Sequence, residues 1–128
     1  MTFDDQKLLQ VLKNAPNLPI IKIFYFLAHN QPAEGISGYE TTKEQLAFDL
    51  NLKIRTVFDA LRWLKAELLV QELKQVESID FMVNPLFVMN NSDPKARLDE
   101  WKRRQRLDIQ REVRLKQQKL KRKSKINV

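Results

Sequence analysis

Arg55, Asp59 and Arg62 stand at i, i+4 and i+7 in a stretch whose apolar residues Ile54, Val57, Leu61, Leu64 and Leu68 keep helical spacing. The three charged side chains therefore share the face opposite the apolar stripe. A guanidinium is a planar fork of donors that fits a carboxylate, a phosphate or the O6/N7 edge of a guanine, and a carboxylate accepts from a cytosine amino group or holds an arginine in place. The bland alternative is a solvated face with an Arg55–Asp59 pair worth a few tenths of a kcal/mol. Other residues able to do chemistry are scarce. There is one histidine, His29, and no cysteine, which leaves no thiolate zinc site, no cysteine nucleophile, no two-histidine metal site and no His-x-His nicking centre. A rolling-circle nicking mechanism is therefore disfavoured even though Tyr25 and Tyr39 are present, and no glycine-rich loop is present to cradle a nucleotide phosphate. The expectation is a non-enzymatic binding protein without catalytic residues, metal or cofactor.

Charge supports that expectation and localises it. Residues 1–93 hold 9 Lys/Arg against 12 Asp/Glu, a net of −3, whereas residues 94–128 hold 14 against 4, a net of +10, so the overall +7 belongs to the C-terminal segment. A chain basic at one end is suited to a polyanion there, leaving the remainder to supply shape and sequence choice. The absence of cysteine fits a reducing cytoplasm, where the protein is expected to reside. The longest apolar run, residues 18–28, is broken by Pro19 and Lys22 and is far shorter than the roughly 20 residues that cross a bilayer. Membrane association is not expected.

The elements that must position these side chains follow from the punctuation. Asp4 or Asp5 can open a first helix that Asn14-Ala15-Pro16 ends. A second helix over about residues 18–30, with Pro19 in its first turn, has Ile20, Ile21, Ile23, Phe24, Phe26 and Leu27 on nearly all sides, as in a central core helix. Part of it could instead serve a dimer interface. A loop leads to an extended segment near Tyr39, and Thr42 and Gln45 have capping-box spacing. A short helix over residues 43–50, a break at Asn51-Leu52-Lys53 and a longer helix from Ile54 to about Leu68 should follow. Residues 69–75 and 79–84 read as a β-hairpin. Asp93 and Pro94 then begin a helix that runs without Gly or Pro to Lys123. The fold class is mostly α with a small β-hairpin, and the organisation is a domain over residues 1–92 and a basic helical tail over residues 93–128.

Helix, tight turn, helix, hairpin is the order of a winged helix-turn-helix, whose second helix lies in the DNA major groove. The string from Leu46 to Leu64 resembles the common bacterial helix-turn-helix pattern: Ala47 is the small residue at the helix crossing, Leu52 the apolar plug of the turn, and Thr56-Val57 the start of the recognition helix. Asn51 replaces the usual turn glycine, and Lys53 stands where Ser or Thr usually caps the helix. Residues 39–70, followed by Phe81-Met82-Val83-Asn84-Pro85 and Phe87-Val88-Met89-Asn90, resemble the RepL family of plasmid replication proteins, with a strand running into a Met-Val-Asn-Pro motif. That resemblance implies origin recognition and initiation of plasmid replication on double-stranded DNA, together with host replication proteins as partners.

Within this frame Lys53, Arg55, Thr56, Asp59 and Arg62 are the expected recognition-helix contacts, and Thr42, Lys43 and Lys74 the expected phosphate contacts. Phe58 and Trp63 are expected to pack on neighbouring helices rather than stack on bases. Glu72, Glu77 and Asp80 outnumber Lys74 in the hairpin, which speaks against insertion of its tip into a minor groove. In the tail, Lys102, Arg103, Arg104, Arg106, Arg111 and Arg114 are expected to follow a phosphate backbone. Alternatively, the stripe of Leu98, Trp101, Ile109, Val113 and Leu120 packs on the body or on a second copy. One recognition helix reads few bases, so a homodimer is expected. Two competing functions are a transcriptional regulator or copy-number repressor of a plasmid or phage, and an adaptor whose basic helix binds a partner protein.

Overall fold

The computed structural model describes the backbone of residues 2–126 and the side chains of residues 2–123; the last two residues of the expected basic tail lie outside this range. The order is β1 (Thr2–Phe3), α1 (Asp5–Leu12), α2 (Leu18–His29), β2 (Tyr39–Thr41), α3 (Lys43–Leu50), α4 (Ile54–Ala66), β3 (Val70–Lys74), β4 (Ile79–Val83), β5 (Val88–Met89) and α5 (Pro94–Ile126). β4 is the centre of an antiparallel sheet of order β2-β4-β3, with Tyr39 opposite Phe81 on one side and Glu72 opposite Phe81 on the other. Strand alternation sends Val70, Phe81 and Val83 into the core made with α2 and α4, and Met82 with Asp80 to the other face, beneath α5. The molecule thus has three layers: α1–α4, the sheet, and the first turns of α5.

Local sequence accounts for most boundaries. Asp4 and Asn17 cap α1 and α2 through their side chains, and Thr42 caps α3 by accepting the Gln45 N–H at 3.0 Å. Only half of the expected capping box forms, because the Gln45 side chain turns forward to Asp49 at 2.8 Å instead of back to the cap. Asn51 adopts the left-handed conformation (φ 54°), the turn that glycine usually makes, and lets the Leu52 N–H reach the Ala47 carbonyl at 2.8 Å. Asp93 caps α5 through the Ala96 N–H at 3.1 Å, with Pro94 following it.

Four features depart from the sequence expectation. The recognition-type helix α4 stops at Ala66, and Leu68, expected inside it, is left-handed (φ 58°). Both ends of its apolar stripe, Ile54 and Leu68, stay exposed, while Val57, Ala60, Leu61 and Leu64 are buried. Two strands were not expected: β1 and β5, which pair with each other (Thr2 with Met89, Phe3 with Val88) and fold the N-terminus onto the chain after the hairpin. Two residues each are too few to give an alternation signal. Finally, Asn84 of the Met-Val-Asn-Pro motif is buried: its amide nitrogen donates to the Leu68 carbonyl at 2.8 Å, and its oxygen accepts from the Leu86 N–H at 3.0 Å. It ties the end of β4 to the strained exit of α4, a structural task. Two helices joined by the Asn51 turn, followed by the β3–β4 hairpin, make a winged helix-turn-helix to which α5 is added.

Candidate nucleic-acid interface

α4 lies with Val57, Ala60, Leu61 and Leu64 against α2 and the sheet. Burial of a Val or Leu side chain contributes roughly 1.5–3 kcal/mol each, so the rotational setting of the helix is firmly held and its other face is presented outward. On that face Lys53, Arg55, Asp59 and Arg62 are exposed, and Thr56 is half-buried. Asp59 stands between the two arginines, 3.9 Å from Arg55 Nε and 3.6 Å from Arg62 Nη1. Solvent-exposed pairs of this kind contribute about 0–1 kcal/mol, so both guanidiniums can leave Asp59 for a stronger partner at little cost. The i, i+4 pair expected as the bland alternative does form, and it is compatible with contact to a ligand.

The expected phosphate contacts divide. Lys74 is exposed on β3. The Thr42 hydroxyl is engaged as the α3 cap. Lys43 has partners inside the protein: its side chain is largely covered, and its Nζ lies 3.7 Å from Glu72 and 4.5 Å from the centroid of the Phe58 ring. The cause is Glu72, whose buried carboxylate needs cations and also draws Lys65 to 3.4 Å. Phe58 accordingly carries Lys43 of α3 on its face and remains 42% exposed, rather than packing into a neighbouring helix, while Trp63 packs against the core as expected.

Two of the three hairpin acids, Glu72 and Asp80, turn inward. Glu72 is neutralised by Lys43 and Lys65, and Asp80 is 2% exposed beneath α5. The outer tip consists of Gln75, Val76, Glu77 and Ser78, with the Gln75 N–H on the Ser78 carbonyl at 2.8 Å and Val76 fully exposed. The tip adjoins Thr42 and Phe58 across a shallow groove, so hairpin, α3 N-terminus and α4 form one continuous surface. Of the three acids counted against insertion of the hairpin tip into a minor groove, Glu77 alone faces outward.

The tail residues divide as well. Arg104 is buried, its Nη1 2.9 Å from Asp80 Oδ1, its Nη2 on the Ile36 carbonyl and its Nε 3.9 Å from Glu100. It is therefore removed from the expected set of phosphate contacts. Arg103 is bound by both oxygens of Glu100, which raises its guanidinium pKa above the ordinary value. Lys102, Arg106, Arg111 and Arg114 are exposed, with Arg111 3.8 Å from Asp108. The proximal stripe packs on the body through Trp101, whereas Ile109, Val113 and Leu120 stay exposed.

Sequence reasoning missed the residues that hold this arrangement. Arg97 is buried and donates to the Gln31 side chain and, at 2.6 Å, to the Ser37 carbonyl; burial lowers its pKa, nearby Arg104 adds to that, and Asp80 offsets part of it. Gln31, itself buried, also donates to the Phe81 carbonyl at 2.9 Å and accepts from the Val83 N–H at 3.2 Å. Gly38 donates its N–H to Asp80 at 2.8 Å, and a Cβ there would collide with the Asp80 carboxylate and the Phe81 carbonyl. A glycine in a polar loop was the one visible signal. His29 is exposed at the end of α2, 6.0 Å from Phe3 and 6.4 Å from Tyr25 between ring centroids. No group of acids and histidines able to hold a metal, and no helix long and apolar enough to cross a membrane, occurs among the described residues.

The arrangement defines a recognition-type helix flanked by a hairpin and a cationic helix. No family model matches the chain, and no curated protein does; the RepL resemblance therefore rests on the quoted motifs. Among solved structures, HlyU from Vibrio cholerae N16961 aligns with TM-score 0.45 and 19% identity, over 78% of this chain and 90% of that one. Its reduced form gives 0.44 and 20%, over 72% and 78%. The homodimeric winged helix-turn-helix DNA-binding domain of Mb0332 from Mycobacterium bovis, described as a possible ArsR-family transcriptional regulator, gives 0.44 and 20%, over 65% and 72%.

Proposed function

We propose that this chain is a non-enzymatic, sequence-specific double-stranded DNA-binding protein in which α4 reads bases in the major groove and the exposed cations of α5 hold phosphates. The observation that carries this reading is the outward face of α4: Arg55 and Arg62 project from a helix whose other face is locked in the core, paired only by an exposed aspartate. That presentation suits bidentate contact to guanine, with Lys53, Thr56 and Lys74 serving register. Because one such helix spans few base pairs, the working form is a homodimer on paired half-sites.

Two outcomes share this surface. A transcriptional regulator or copy-number repressor needs occupancy of a site and nothing more, so it asks least of this chain. Initiation of plasmid replication, the outcome implied by the RepL resemblance, needs in addition recruitment of host replication proteins. Selection of bound fragments from the parent replicon tests the reading: an enriched site with two-fold symmetry is expected, lying over a promoter for the first outcome and over a replication origin for the second. Failure to retard any duplex at low salt would overturn DNA binding and favour an adaptor role for the basic helix.

A further inference from the structure

α5 is fastened at one end and free at the other, and the fastening gives it a direction. Arg97 is bound to Gln31 and Ser37, next to the C-terminal end of β4. One turn on, the Trp101 carbonyl accepts from Gln71 Nε2 at 2.9 Å, and Arg104 meets Asp80, which lies opposite Leu73 near the hairpin end of the sheet. Further along, Ile109 and Arg111 line a groove of about 620 Å³ with Lys65 of α4 and Lys74 of β3. The helix therefore crosses the sheet and leaves it over β3, beside the hairpin and the C-terminal end of α4. Every residue from Ile109 to Lys123 is exposed. From Val113 to Lys123 there are six Lys/Arg and no Asp/Glu.

We propose that the buried Asp80–Arg104 pair positions this cationic arm, aiming it past the hairpin so that it lies on the phosphates flanking the base pairs contacted by α4. The inference rests on the DNA-binding reading above. An apolar contact could fasten α5 equally well, but a guanidinium tied to Asp80, to the Ile36 carbonyl and near Glu100 fits at only one rotation of the helix. Buried ionic pairs are best attested as devices that select one arrangement. The free stretch from Val113 to Lys123 extends about 17 Å at 1.5 Å per residue, which corresponds to about 5 base pairs.

Hydroxyl-radical footprinting of the full chain on its selected duplex tests this. The expected pattern is a central protection with a sharp extension of about 5 base pairs on the outer flank of each half-site. Truncation after Glu112 should remove the extension and keep the centre. Insertion of Gly-Gly-Ser between Glu112 and Val113 lies beyond all packed residues and leaves the fold alone; it should blur the extension while changing the salt slope by less than about one. The double variant Asp80→Asn with Arg104→Met, which removes both partners of the pair together, should blur it in the same way, whereas Gln110→Ala, at an exposed uncharged position of the same helix, should leave it sharp. A sharp flank after the insertion, or one that survives the truncation, would overturn the positioning role. Absence of the central protection in the unaltered protein would overturn the DNA-binding reading itself.

Discussion

Arg104 and Arg106 are two residues apart on one helix, yet one is 5% exposed beneath the hairpin and the other is in solvent. The difference divides α5 into two regions made of the same residue types. Its base, from Arg97 to Arg104, places charge in the protein interior, where each group needs a partner: Asp80 and Glu100 for Arg104, Gln31 and Ser37 for Arg97. Its distal part keeps charge in water, where it is free to meet an external anion. Identical side chains are structural in one place and available for binding in the other, and what separates them is whether the sheet covers that side of the helix. The outward face of α4 is a third case, with two arginines held lightly by Asp59.

Substitution should expose this contrast most strongly at the buried end. Asp80→Ala leaves Arg104 without its main partner in the interior and should destabilise the fold by about 3–5 kcal/mol in urea titration, whereas Arg106→Ala should change stability by less than about 0.5 kcal/mol. Equal losses would erase the distinction between base and arm. Truncation after Val113 should leave stability nearly unchanged and, if five cations act on phosphates, reduce the slope of log affinity against log salt by about 4–5 while preserving the preferred sequence. An unchanged slope would remove the arm from the interface. Arg55→Ala should cost roughly 1–3 kcal/mol on the preferred site and blunt discrimination between sites, which separates reading by α4 from holding by α5. The smallest effect is expected for Thr42→Ala, a loss of about 1 kcal/mol in stability from the missing α3 cap, with sequence preference retained.

Legibility followed the range of the interactions. Caps at Asp4, Thr42 and Asp93, the αL turn at Asn51 and the stripe of α4 are set by neighbours a few residues away, so spacing revealed them. The outward placement of Arg55, Asp59 and Arg62 follows from that stripe and was equally visible. The internal partners of Lys43 and Arg104 were not visible, because Glu72 and Asp80 lie on strands distant in sequence. A count of acids and bases along the chain cannot say which of them meet.

By itself, then, the sequence determined the succession of helix, turn, helix, hairpin and long basic helix, together with the face that α4 turns outward, because helical period and capping are local properties. The tertiary structure alone decided that Glu72 and Asp80 of the hairpin point inward and that α5 is riveted across the sheet. It also decided that the cations beyond Arg104 leave the body beside the hairpin. Burial converts a charge into a demand for a particular partner, and only the packed fold determines which partner is within reach.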